Sequence, residues 1–158
     1  MISGDLRAFF ESGISILVGT RDARLVPAVM RAVGARVEAS GAELTVFLPD
    51  VTSAKILANV RDNGRMAVTF SRASDHRSLQ VKGTVISCAP ATRADRDAID
   101  LYRLSYAREL SVIGLPPRLT LRVAHWPAHA VRLRVESVFA QTPGPGAGAP
   151  LPGPEVRP

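Results

Sequence analysis

The apolar positions of this chain switch between a helical and a strand period. Leu6, Phe9 and Phe10 fall on one helical face, so Asp5 to Ser12 is expected as a short helix that Gly13 can end. Ile14 to Thr20 is a run of mostly β-formers and reads as a strand, followed by a polar turn at Arg21-Asp22-Ala23-Arg24. From Leu25 to Glu38, Val29, Arg31, Val33, Ala35 and Val37 alternate with Met30, Ala32, Gly34, Arg36 and Glu38. That pattern predicts a long second strand. Pro27 lies near its start, where a missing N–H is tolerated, and Gly34 marks a bulge or sharp bend. After a turn at Ser40-Gly41, Glu43 to Pro49 is a third strand, with Leu44, Val46 and Leu48 on one face.

The stretch from Thr52 to Thr84 organises the rest. Ile56, Leu57 and Val60 give an apolar stripe at helical spacing, and Asn63-Gly64 stops that helix because glycine takes the left-handed conformation cheaply. Thr52 or Asp50 can cap its start. First-turn N–H groups suit a phosphate, and Ser53 adds a hydroxyl and Lys55 a full charge nearby. The plainer reading of the same residues is a surface helix with an ordinary cap and a solvated lysine. Arg65 to Ser71 and Ser78 to Cys88 are the next two strands, with a charged loop between them. On the second of these, Gln80 and Lys82 point the same way, either to a wet sheet face or to a ligand.

Ala89-Pro90 is read as a break in the sheet. Thr92 with Asp95 forms a capping-box pattern, and Ile99, Tyr102, Tyr106, Leu110 and Ile113 recur at helical spacing, so Thr92 to about Val112 is a helix. Its two tyrosines are read as packing residues with wet hydroxyls. Leu119 to Ala124 and Ala130 to Ala140 complete the strands. His125 and His129 are four apart, but Pro127 between them argues against a helix and hence against a metal pair; no metal site is assigned. His76, beside Asp75, reads as a surface residue.

Composition narrows the class. The chain has 158 residues, enough for one domain with a sizeable core, and 46% hydrophobic content supports a globular protein. No apolar run approaches the roughly 20 residues that cross a bilayer, and Asp5 and Glu11 argue against a signal peptide. A single cysteine, Cys88, excludes an internal disulfide and is read as a partly buried, inert thiol at a strand end. These features suggest a cytoplasmic protein. The formal charge of +6 could serve an acidic partner, yet the arginines are scattered and no row of aromatics is present to stack bases. From Pro143 onward the chain is mostly Pro, Gly and Ala, so 1–141 is read as the domain and 142–158 as a flexible tail.

Short turns between strands, with helices inserted at two points, predict a β-rich α+β fold: a small antiparallel, Greek-key split barrel of six to seven strands with two or three flanking helices. Here a resemblance enters. Thr52-Ser53-Ala54-Lys55 leading to Asn59 and Asn63, and Ser78-Leu79-Gln80-Val81-Lys82-Gly83, resemble motifs of the pyridoxamine 5'-phosphate oxidase-like family, the FMN-binding split barrels. The second piece is similar to that family's Gln-Val-x-x-Gly strand, and Phe139-Ala140-Gln141-Thr142-Pro143-Gly144 is similar to the end of many members. The likeness spans roughly Asp5 to Gln141.

The resemblance implies a homodimer with FMN in the cleft between protomers. It implies Ser53 and Lys55 at the flavin phosphate, with Thr52 beside them, Gln80 near the ring system and Arg31 as a basic phosphate contact. Lys82 is added because it shares a strand face with Gln80. Two departures matter. Ser53-Ala54-Lys55 stands where the oxidase carries Ser-Arg-Lys, and its C-terminal Arg-x-His substrate motif is missing. Oxidation of pyridoxamine phosphate itself is therefore not expected. The functional expectation is an FMN-binding oxidoreductase-like protein of unassigned substrate. The alternatives are a non-catalytic module for flavin, deazaflavin or haem, and a basic protein that contacts nucleic acid.

Overall fold

The strand expected over Leu25–Glu38 breaks where Gly34 lies. In the computed structural model, which describes residues 2–151, it becomes β2 (Pro27–Arg31) and β3 (Ala35–Val37). Gly34 has a φ of +152°, and a Cβ there would meet the Phe47 ring at 3.1 Å, so a side chain would be both strained and crowded. With β1 (Ser15–Arg21), β4 (Glu43–Pro49), β5 (Arg65–Ser71), β6 (Ser78–Pro90) and β7 (Ala128–Ala140), these segments form one seven-stranded antiparallel sheet in the order β2-β1-β5-β6-β7-β4-β3. The two halves of the broken strand therefore occupy opposite edges. Ala32 N–H still bonds the Ile16 carbonyl at 3.0 Å, whereas Val33 N–H bonds the Phe47 carbonyl at 2.9 Å. This corner draws the edges together and curls the sheet into a split barrel without a continuous seam.

Alternation fills the inside. Ile16, Val18, Leu44, Val46, Leu48, Val68, Phe70, Val81, Val131 and Leu133 are buried, as the strand pattern requires. Helix α1 (Gly4–Phe10) adds Phe9 and Phe10, the latter 4.3 Å from the Phe70 ring between centroids. Helix α2 (Asp50–Asn63) buries Ile56, Leu57 and Val60, its expected stripe, each contributing about 1.5–3 kcal/mol on full burial. It stops at Gly64, whose φ of +67° is the expected left-handed cap.

Helix α3 (Arg93–Val112) opens on the expected capping box. Asp95 N–H donates to Thr92 Oγ1 at 3.2 Å, and Thr92 N–H donates to Asp95 Oδ2 at 2.9 Å. Its tyrosines stack at 5.7 Å, but their hydroxyls are not wet. Tyr102 donates to the Ile14 carbonyl at 2.6 Å, and Tyr106 accepts from Arg31.

Two further expectations, the strand over Leu119 to Ala124 and the partly buried Cys88, are corrected. Leu119 to Ala124 is not a strand: Pro117 opens a short helix, α4 (Pro117–Thr120), because a proline at the first helical position costs no hydrogen bond. Leu119, Leu121 and Val123 mimic a period of two, yet Leu119 and Val123 are exposed. β6 ends at Pro90, as the proline implied, but Ala89 and Pro90 are still paired with Ala130 and His129, and Cys88 on that strand is exposed. Residues 142–151, read as the start of a flexible tail, turn back along β7. Ala140 N–H bonds the Ala149 carbonyl at 2.9 Å, and Leu151 N–H bonds the Val138 carbonyl at 2.8 Å. Residues 152–158 of that segment lie outside the described residues. Among the described residues, no helix is long and apolar enough to cross a membrane.

Candidate functional site

Strand register sets out the chemistry on the outer face of the sheet. Residues directly opposite in an antiparallel pair point to the same side. One row runs Arg31, Leu17, Thr69, Gln80, Phe139; the next runs Val29, Gly19, Ala67, Lys82, Ser137. Gln80 and Lys82 therefore share a face, as their spacing implied. That face is not simply polar: Val29 is 68% exposed and Leu17 39% exposed.

Two clefts flank β2. The first, of about 370 Å³, lies between β2, the start of α2 and the turn after α4. Val29, Arg31, Pro49, Val51, Thr52 and Val123 are among its lining residues. Arg31 is fixed there: its Nη1 donates to Ser15 Oγ at 2.8 Å and to Tyr106 Oη at 2.6 Å, with the guanidinium 5.5 Å from the Tyr106 ring centre. The second cleft, of about 380 Å³, lies over β1 and β5, with Gly19 and Ala67 among its lining residues and Arg21, Arg65 and Lys82 as its basic members. Val29 lines both.

The start of α2 differs from expectation in its cap. Pro49 occupies the capping position and no side chain bonds the first-turn N–H groups. Neither Asp50 nor Thr52 caps. Asp50 Oδ1 instead lies 2.7 Å from His129 Nδ1, and Thr52 is exposed at the cleft. Ser53, expected at a phosphate, is 2% exposed, and its hydroxyl donates back to the Asp50 carbonyl at 3.3 Å. Lys55 is exposed and donates to Asp22 Oδ2 at 3.1 Å. Gln80 is half-buried and donates from Nε2 to Thr69 Oγ1 at 3.0 Å. Thus the structure brings Arg31 and Thr52 into one cleft and puts Lys82 in the other, while Ser53, Lys55 and Gln80 line neither.

Several residues that shape this region carried no readable signal. Asp22, in a polar turn, partners Lys55; its carboxyl is held below the usual range by the Val26 N–H first and then by Lys55. Glu136 clamps Arg65 through both oxygens, at 3.0 and 2.8 Å, and accepts from Thr84 at 2.6 Å. The Thr84 hydroxyl first, then Arg65, keep the Glu136 carboxyl low. Such pairs join residues far apart in sequence, and only the small outward residues Gly19 and Ala67 stand out in the pattern itself.

The histidines do not converge. His129 faces Asp50, His125 Nε2 lies 3.1 Å from Arg103 Nη1, and His76 sits exposed in the β5–β6 loop. The basic charge is also dispersed. Arg36, Arg65, Arg72, Arg103 and Arg132 each pair with a carboxylate.

No protein-family model matches the chain, and no curated protein matches it in sequence. Solved structures do. HupZ of Group A Streptococcus is 18% identical over 94% of this chain and 100% of its own, with a TM-score of 0.58. An F420 reductase is 16% identical over 84% of this chain and 94% of its own, with a TM-score of 0.57. An FMN-binding protein of Syntrophomonas wolfei is 12% identical over 84% of this chain and 81% of its own, with a TM-score of 0.51. At these identities the likeness is one of architecture: the chain has the fold of the pyridoxamine 5'-phosphate oxidase-like split barrels, the family its motifs resemble.

Proposed function

We propose that the protein holds FMN between two copies of itself and acts as a flavin-dependent oxidoreductase. The observation that carries this reading is the division of the expected site. Arg31 and Thr52 share a cleft, whereas Gln80 stands on the open sheet face and lines neither cleft. A second copy seated on that face offers a way to unite them, and the exposed Val29 and Leu17 give it apolar surface to cover.

The cleft residues fit the cofactor. The first turn of α2 has no side-chain cap; the Asp50 N–H is taken by the Pro127 carbonyl at 2.9 Å, and the N–H groups after it would meet a phosphate, with Thr52 and Arg31 in the cleft, and Lys55 outside it, as further donors. Asp50 Oδ1 in that turn is turned to His129 Nδ1, 2.7 Å away. Val29, Pro49 and Val51 give an apolar wall for a ring system, and Gln80 of the second copy supplies an amide to its polar edge. Bound FMN would supply the electron-transfer chemistry; these residues bind, orient and exclude water.

The test is an absorbance spectrum of the purified chain, an FMN titration by calorimetry and the mass in solution. Saturable FMN uptake by a dimer is expected. A monomer, or a dimer that takes up no FMN, would overturn the reading. A deazaflavin in the same cleft is the second reading, favoured by the F420 reductase of the same fold, and competition against FMN separates the two.

A further inference from the structure

We propose that the outward face of α3 pairs with the same face of a second copy, the two helices running antiparallel. This contact is separate from the sheet face of the flavin reading and does not rest on it.

A stripe along α3 is the first observation. Ala94, Asp97, Leu101, Leu104, Arg108 and Ser111 recur alternately three and four residues apart, the spacing of a seam where one helix meets another. Each of them is exposed. The barrel packs against the opposite side of the helix, which carries Ile99, Tyr102 and Tyr106. Leu101 is 67% exposed and Leu104, one turn on, is 49% exposed. A single leucine at a surface is ordinary, but two at the middle of a seam leave apolar area for a partner to cover. None of the stripe lines either cleft.

Charge identifies that partner as a second copy. An antiparallel pair centred midway between Leu101 and Leu104 sets Leu101 of each copy against Leu104 of the other. The same register sets Asp97 against Arg108 one turn outward, and Ala94 against Ser111 beyond them. A twofold axis makes each of these contacts twice. Leucine thus meets leucine, carboxylate meets guanidinium, and small residues at the ends let the helices approach. A parallel pair in register would set Asp97 against Asp97 and Arg108 against Arg108, and so repel. Within their own chain, neither Asp97 nor Arg108 has an ion-pair partner among the described residues. The helix has 20 residues and is short, so the contact is small and the association weak.

The test is the mass of the full chain by sedimentation, from about 5 µM to about 500 µM, a range that brackets weak association. The mass is expected to rise toward twice its dilute value. Leu101→Glu combined with Leu104→Glu should hold it at the dilute value. Both sites are exposed and glutamate favours helices, and a thermal melt confirms that the variant folds. Asp97→Arg and Arg108→Asp should each abolish the rise, because like charges then face each other, and the two together should restore it. The pairing is overturned if the wild-type mass does not rise, or if the combined charge exchange fails to restore it. A rise that persists in the glutamate variant also overturns it and leaves the face to a different partner. FMN titration keeps the two readings apart. A charge-dependent rise without FMN uptake would sink the flavin reading and leave the α3 pair standing, and uptake without a rise would do the reverse.

Discussion

Lys55 Nζ lies 3.1 Å from Asp22 Oδ2, so the lysine expected at a phosphate is held by a carboxylate of its own chain. Asp22 is itself well fixed. Its Oδ1 accepts the N–H groups of Arg24 and Val26, each at 3.0 Å, in a turn where Leu25 takes a φ of +65°. If Lys55 serves a flavin phosphate, Asp22 competes with that phosphate. Asp22→Asn is then expected to tighten FMN binding by about two- to fivefold, a modest gain because the pair is exposed. Lys55→Ala should weaken it by about tenfold or more. Calorimetric titration of both variants checks this. Weaker binding in Asp22→Asn would make Asp22 a part of the site and not its competitor.

The carboxylates give the stability of the fold a pH dependence of definite sign. Asp22 and Glu136 are held low by the donors already named. Burial raises the Asp95 carboxyl, but hydrogen bonds from Arg36 and Thr92 outweigh it and leave it low. A carboxyl with a depressed folded-state pKa contributes stability that is present above its unfolded value and lost as pH falls through its folded value. The melting temperature should therefore be nearly flat from about pH 7 to 5 and fall below about pH 4. Asp95→Asn should lower the neutral-pH plateau by about 1–2 kcal/mol, through the lost cap and the weakened Arg36 contact, and make the acid decline shallower. Thermal melts of the two proteins across pH are the measurement.

Gly83 closes the motif Gln80-Val81-Lys82-Gly83, and the structure supplies a reason for it. Pairing slips between Lys82 and Gly83, opposite Ser137 and Val135, so Glu136 is the extra residue of a bulge on β7. There the Arg134 carbonyl presses on Gly83, and a Cβ would stand 2.0 Å from its oxygen. Both obstacles are backbone, so neither can swing aside. Gly83→Ala should cost at least about 2 kcal/mol and loosen the clamp that Glu136 places on Arg65. Urea unfolding measures the cost. A change within about 0.5 kcal/mol would show that the bulge can relax.

The sequence was readable where one residue type had one local job. Thr92 and Asp95 announced α3 and Gly64 ended α2, whereas alternation over Glu43–Pro49 picked out Leu44, Val46 and Leu48 but not that Thr45 and Phe47 on the other face of β4 are buried too. It misled where a period was ambiguous. Leu119, Leu121 and Val123 alternate as in a strand, but Pro117 begins a helix and the chain stays at the surface. Gly34 signalled a bend but not that its flanks would occupy opposite edges, because edge order depends on partners far along the chain. The candidate site divided in the same way. The shared face of Gln80 and Lys82 follows from spacing alone. The partners of Lys55, Arg31 and Arg65 are Asp22, Tyr106 and Glu136, and only folding sets those contacts.

Arg31 offers the most direct probe of the first cleft, because its support can be removed without touching its charge. Tyr106 Oη lies 2.6 Å from Arg31 Nη1, and the Tyr106 ring stacks on Tyr102 inside the core. Tyr106→Phe keeps the ring and deletes only the hydroxyl, at a cost to stability of about 0.5–1.5 kcal/mol. If Arg31 meets a phosphate, loosening it should weaken FMN binding by about three- to tenfold, while Arg31→Ala weakens it by about tenfold or more. Residues that act through one contact do not add, so the double variant should bind no worse than Arg31→Ala alone. FMN titrations of the three variants, each with a thermal melt, separate binding from stability. If Tyr106→Phe lowers the melting temperature but leaves FMN affinity untouched, the tyrosine serves only the core and Arg31 needs no support from it.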